Sequence, residues 1–308
     1  MRIVVMGAGG LGGYFGARLA AAGNDVAFIA RGAHLAAIKE HGLTVESARG
    51  DLHLRDVVAT DNPASLAPAD IVLFAVKLWD TETAAEAIRP LIGLDTGVIS
   101  FQNGVDKETV LARILGPAAV IGGTAQIGVA IARPGVLAHV GTMARLTFGE
   151  MDGKPSARTQ AFYDACVAAG IDAELTRDIN LKLWEKFIFL VGMAGATASM
   201  RSRLGPIRAN PRTRAFLLDL MREADAVGRA LGVALPVDHM VARAKAIDAL
   251  PAQMTTSMQV DLSRGNKLEV AWLNGKVAEL GAKVGVPTPL NRAVFDILTL
   301  YADGAPSA

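Results

Sequence analysis

The sequence is short of cysteine, of any excess of one charge sign, and of long uninterrupted apolar runs, and each shortage closes off a class of protein. One cysteine, Cys166, excludes an internal disulfide framework and every multi-cysteine metal site. It lies in AFYDACVAAG, a helical stretch in which it reads as core packing. Lys and Arg number 31 against 30 Asp and Glu, and no basic block stands anywhere along the chain, so neither nucleic acid nor an anionic membrane surface is an expected partner. MRIVVMGAGG passes from one Arg directly into a strand and leaves no room for a signal peptide. The longest uncharged stretches, 116–132 and 187–200, are short or interrupted by Gly, Thr and Gln. The expectation is a cytoplasmic protein that acts on a small molecule. His34, His41, His53, His139 and His239 are scattered without ligand spacing, so no metal is expected and each reads as an ordinary surface or core residue.

What is present is enough apolar residue, 51% of 308, for two cores. RIVVM at 2–6, DVAFIA at 25–30, DIVLFAV at 70–76 and GVISF at 97–101 read as buried parallel strands with helical segments between them, an α/β doubly wound pattern. LTVES and DLHLRDVVAT alternate around Arg49-Gly50 as an inserted hairpin. TAQIGVAIA, GVLAHV and ARLTFGE read as three short strands separated by Pro134-Gly135 and Gly141, followed by a helix over 155–169 and a last strand at IDAEL. From Asn180 onward the spacing is helical, broken at Gly205-Pro206, Asn210-Pro211, Leu235-Pro236, Pro251 and Val286-Pro287. A parallel-sheet domain over 1–177 and an all-helical domain over 178–308 follow, with a frayed tail at ADGAPSA.

Gly7-Ala8-Gly9-Gly10-Leu11-Gly12 is a G-x-G-x-x-G placed directly after a strand and opening a helix, the context a dinucleotide site of the Rossmann type requires. Gly7 permits the tight turn, Gly9 admits a pyrophosphate close to the backbone, and Gly12 lets helix and strand pack closely. An NAD site carries Asp or Glu at the end of the second strand; here FIARG puts Arg31 there. A guanidinium suits a 2′-phosphate and leaves no carboxylate to repel it, which points to NADPH. The other reading of Arg31 is a solvated surface residue.

LKLWEKFIFLVGMAGATA sets Lys186 among Leu183, Trp184, Phe187, Leu190 and Val191 at helical spacing. Such a lysine either reaches to the surface along its stem or is held beside a carboxylate. With GAGGLG, Arg31, AVK at 75–77, QNG at 102–104, PGVLAHVG at 134–141 and LWEK at 183–186, the chain resembles the ketopantoate reductase (2-dehydropantoate 2-reductase) family. The likeness continues through MREADAVGRALGV at 221–233, Ser257-Met258, Asp261 to Gly265, Glu269, Asn274-Gly275 and GVPTP at 285–289. The resemblance implies NADPH-dependent reduction of a 2-oxo acid to a (D/R)-2-hydroxy acid, ketopantoate to pantoate in pantothenate biosynthesis, and is compatible with a homodimer. It implies Lys186 as general acid, Glu269 as its carboxylate partner and a cofactor contact, Asn103 as a contact to cofactor and substrate, Ser257 as a substrate contact, and Lys77 on the cofactor side. Read without the family, Asn103 is a turn residue before Gly104, Glu269 a helix-surface acid and Ser257 a helix cap.

The family pattern has asparagines four and eight residues after the lysine and a polar residue three before Ser257; here these are Leu190, Ala194 and Met254. Losing amides that pair with a hydroxylated substrate disfavours it. The alternative is therefore a D-2-hydroxy acid dehydrogenase of the same family that takes branched or aromatic 2-oxo acids.

Overall fold

Four of the five residues of β1 (Arg2–Met6) are buried. The strand runs parallel to β2 (Asp25–Ile29) on one side and β6 (Ile71–Phe74) on the other. A strand covered on both faces must be apolar throughout rather than alternating, which is why RIVVM and IVLF carry no charge beyond Arg2. The computed structural model describes residues 1–306. Its contacts divide the chain into two compact units, residues 1–102 with 106–182, and residues 103–105 with 183–308.

In the first unit α1 (Gly10–Ala21) and α2 (Gly32–His41) follow β1 and β2. Then come β3 (Leu43–Ser47), β4 (Leu52–Leu54), β5 (Val58–Thr60), β6, α3 (Thr81–Ala87), β7 (Gly97–Ser100) and α4 (Lys107–Leu115). The unit continues with β8 (Val120–Arg133), β9 (Val136–Glu150), α5 (Ala157–Ala168) and β10 (Asp172–Leu175). The strands form one sheet in the order β4-β3-β9-β8-β7-β6-β1-β2-β5, with β10 also on β9. The chain lays β2 and β5 outward on one side of β1, then returns to lay β6, β7 and β8 on the other. The reversal beside β1 is the point at which open α/β sheets bind ligands, just past the carboxyl ends of the strands.

Two strand expectations are corrected. DLHLRDVVAT is not one strand: Leu52–Leu54 pairs antiparallel with β3 as the hairpin requires, but Val58–Thr60 lies parallel to β2 at the opposite edge. The exposed pair Arg55-Asp56 forms the bend that separates them. The three short strands after Gly122 are two long ones, turned at Pro134-Gly135. Gly141 ends nothing; with φ +78° it sits in a bulge of β9 between His139 and Ala144, opposite the step from Ile127 to Val129. Beyond that bulge β9 exchanges its outer neighbour, pairing with β3 at residues 136–139 and with β10 at 145–148.

The second unit is helical among its described residues: the rest of α6 (Ile179–Ser199), then α7 (Leu204–Ala209), α8 (Pro211–Ala230), α9 (His239–Ala249), α10 (Ser257–Ser263), α11 (Asn274–Val284) and α12 (Pro289–Thr299). Asn210 caps α8 by accepting from Arg212 N and Thr213 N, with Pro211 at the first helical position. Gly205-Pro206 falls inside the first turn of α7 rather than between helices, because proline is tolerated where the amide has no partner to lose. Buried Asn291 donates to Leu220 O and Glu223, and accepts from buried Asn274, whose amide also donates to Val191 O, so one network fastens α6, α8, α11 and α12. The tail is not frayed at its start, since Leu268 N donates to Ala302 O and Ala305 N to Gly265 O; Ser307 and Ala308 lie outside the described residues. Among the described residues no helix is long and apolar enough to cross a membrane.

Candidate functional site

The glycine turn is anchored on the neighbouring strand, as Gly7 N and Ala8 N both donate to Ile29 O, at 3.2 and 3.0 Å. Gly7 has φ +98°, and a Cβ on Gly12 would stand 2.3 Å from Gly7 O, so neither position admits a side chain. Gly9 is different: a Cβ there would meet nothing within 4 Å, which leaves open space over the first turn of α1. No acidic residue stands in that turn. Open amides at a helix N-terminus without a competing carboxylate fit a pyrophosphate. Gly10 packs against β8, with Val129 O 2.6 Å from where its Cβ would be; Ala8 is buried and Leu11 half-buried.

His34 supports this turn, a role its sequence position did not disclose. Gly135 N donates to its Nδ1 at 3.1 Å, so Nε2 carries the proton and donates to Ala8 O at 2.9 Å. The ring thus ties the glycine turn to the bend between β8 and β9.

Arg31 follows β2 at the N-cap of α2 and is 82% exposed at its side chain. Sequence reasoning left no carboxylate beside it; the fold supplies one. Asp80, 49 residues on, accepts from Arg31 Nη2 at 2.6 Å. Asp80 closes the turn that begins at Lys77, donating its backbone N–H to Lys77 O. Lys77 Nζ lies 5.5 Å from the centre of the Trp79 ring, within cation–π range.

In the helical unit Lys186, Asn103 and Glu269 are joined. Lys186 Nζ donates to Asn103 Oδ1 at 3.1 Å, and Asn103 Nδ2 donates to Glu269 Oε2 at 3.1 Å. Only one orientation of the amide serves both neighbours, because an ammonium requires an acceptor and a carboxylate a donor. Lys186 is half-buried, its helix face set by buried Leu183, Phe187 and Val191. Glu269 is 8% exposed, so it is not a helix-surface acid. Its carbonyl accepts from Trp272 N and Leu273 N in a tight turn that fixes the backbone. Gly104, with φ +88°, turns the chain directly after Asn103. An ammonium, an amide and a carboxylate in line can stabilise developing negative charge and give up a proton from a fixed direction.

Ser257 lies outside that line. It is the exposed first residue of α10, and the cap is its neighbour Thr256, whose hydroxyl accepts from Gln259 N. Three consecutive hydroxyl residues, Thr255, Thr256 and Ser257, made the cap ambiguous in sequence. Of the three apolar replacements, Leu190 and Met254 are half-buried, while Ala194 is fully buried and presents no surface.

Residues 3–153 match the family model described as ketopantoate reductase PanE/ApbA, and residues 178–302 match its C-terminal counterpart. A 2-dehydropantoate 2-reductase of Mesorhizobium japonicum is 33% identical, over 98% of this chain and 98% of its own. One from Archaeoglobus fulgidus is 32% identical over 96% of each. The solved structure of a PanE/ApbA family ketopantoate reductase from Ralstonia eutropha JMP134 superposes with a TM-score of 0.90 at 32% identity, covering 98% of both chains. Matched along both of its parts, the chain belongs to the ketopantoate reductase family.

Proposed function

We propose that this chain reduces 2-dehydropantoate to pantoate with NADPH, a step of pantothenate biosynthesis. The observation that carries the reading is the line from Lys186 through Asn103 to Glu269. Gly7 to Gly12 would hold the pyrophosphate, Arg31 the 2′-phosphate, and Lys77, Asn103 and Glu269 further parts of the cofactor. When bound there, the reduced nicotinamide would supply the hydride for the ketone carbon. Lys186 stabilises the negative charge that builds on the carbonyl oxygen and delivers the proton to it, a contribution worth about 10²–10⁴-fold for a positioned general acid. Asn103 fixes the direction of the ammonium, and Glu269, acting through the amide, balances its charge. Asn103 and Ser257 would also bind the substrate.

Half-buried Leu190, one helical turn past Lys186, favours a second reading, in which a branched or aromatic 2-oxo acid is reduced to the D-hydroxy acid. Steady-state oxidation of NADPH with ketopantoate, 2-oxoisovalerate and benzoylformate, with NADH as a control, separates the two. The first reading expects the highest kcat/KM with ketopantoate; a clear preference for an apolar acid replaces the substrate, and absence of turnover with every acid removes both.

A further inference from the structure

Arg31 and Asp80 follow the two strands that flank β1, and their ion pair therefore lies at the same end of the sheet as the glycine turn. Asp80 stands at the N-cap of α3, where an aspartate ordinarily accepts from the helix's own first-turn amides, yet its side chain makes no cap hydrogen bond. The carboxylate is turned to the guanidinium instead, at 2.6 Å. The arginine side chain is 82% exposed and that of Asp80 26%. A pair so open to solvent contributes only about 0–1 kcal/mol and yields readily to a stronger partner.

These facts bear on how the site tells two cofactors apart. A 2′-phosphate would have to take Arg31 from Asp80 while remaining close to the displaced carboxylate, and like charges oppose each other there. An unphosphorylated ribose meets the reverse situation, because a carboxylate accepts from its hydroxyl, as the acid at the end of the second strand does in NAD sites. The geometry points to Asp80 as a specificity-determining residue that competes for Arg31 and narrows the preference for NADPH over NADH. This inference rests on the reading of Arg31 as the 2′-phosphate contact.

The test is Asp80→Asn, which keeps the shape and the capping ability of the residue and removes its charge. For wild type, Asp80→Asn and Arg31→Ala, kcat/KM is measured with NADPH and with NADH, and the affinities for NADP⁺ and NAD⁺ are measured by calorimetry without substrate. Asp80→Asn is expected to raise the NADPH/NADH ratio about three- to fivefold, the scale of one exposed charge, through KM and affinity rather than kcat. A ratio unchanged within about twofold, or an equal loss with both cofactors, overturns the role of Asp80. Arg31→Ala keeps the two failures apart: if it leaves the wild-type ratio unaltered, the reading of Arg31 falls and the role of Asp80 with it. If it abolishes the preference while Asp80→Asn changes nothing, only the role of Asp80 is lost.

Discussion

Lys186 and Asn103 are 83 residues apart in sequence, yet the ammonium donates to the amide oxygen at 3.1 Å. Both belong to the helical unit, although Asn103 directly follows Gln102 of the sheet unit. The lysine is therefore not a surface residue resting its stem on an apolar helix; its head group has a fixed acceptor, and that acceptor is itself held by a buried carboxylate. An ammonium constrained in this way would lose little freedom if a carbonyl oxygen replaced or joined the amide.

Lys186→Ala is expected to lower kcat by at least ~100-fold, the lower end for a general acid, while the affinity for NADPH is retained. Stopped-flow turnover and a fluorescence titration of NADPH measure the two quantities separately. An alanine variant with near-native turnover would remove Lys186 from the proton-transfer role.

Arg31→Asp should reverse the cofactor preference. With Asp80 already present, the substitution places two carboxylates where a 2′-phosphate would lie, and both can accept from ribose hydroxyls. The NADPH/NADH ratio of kcat/KM should fall by more than about tenfold, since a favourable charge contact becomes a repulsive one. An unaltered ratio would show that Arg31 does not read the phosphate.

The features legible in the sequence are those that local pattern determines. The glycine turn could be read because a strand, a tight turn and a helix start must be contiguous, and RIVVM and IVLF because a strand covered on both faces cannot alternate. What stayed hidden depends on partners far along the chain. Pro134-Gly135 and Gly141 look alike as breakers, but only the first turns the chain, because β8 continues alongside β9 and absorbs Gly141 as a bulge. Val58–Thr60 carries no mark of its neighbour β2. Asp80 belongs beside Arg31 only once β1 has been placed between β2 and β6, and His34 supports Ala8 only once α2 is folded back. Within the candidate site, Lys186 was visible as an anomaly in an apolar helix, whereas the burial of Glu269 was not, because Lys267 and Asn266 beside it look like surface.

Cys166 is fully buried, and burial pushes its thiol up to about 12. A thiol with so small a thiolate fraction at neutral pH is a poor nucleophile and resists oxidation. The native protein should not react with Ellman's reagent at pH 8 and should release one equivalent only when denatured. Fast labelling of the folded protein, or loss of activity that follows labelling, would contradict this.

Lys107 and Glu108 open α4 and are 1% and 4% exposed. Lys107 Nζ donates to Glu108 Oε1 and, at 3.1 Å, to Gly123 O, while Glu108 Oε2 is buried without a hydrogen-bond partner. Neither is among the residues proposed for the reaction, so their cost and benefit are structural. Removing one member of a buried pair strands the other charge and costs about 3–5 kcal/mol, whereas replacing both by apolar groups of similar volume is often neutral or stabilising. Lys107→Met should therefore lower the melting temperature by roughly 10 °C, given about 2–4 °C per kcal/mol for a unit of this size. The double variant Lys107→Met/Glu108→Leu should recover most of that loss, with only the amine's bond to Gly123 O unreplaced. Thermal unfolding of the wild type, both single variants and the double variant closes the cycle. Losses that simply add would mean the two side chains are not coupled and that each is stabilised by its own surroundings.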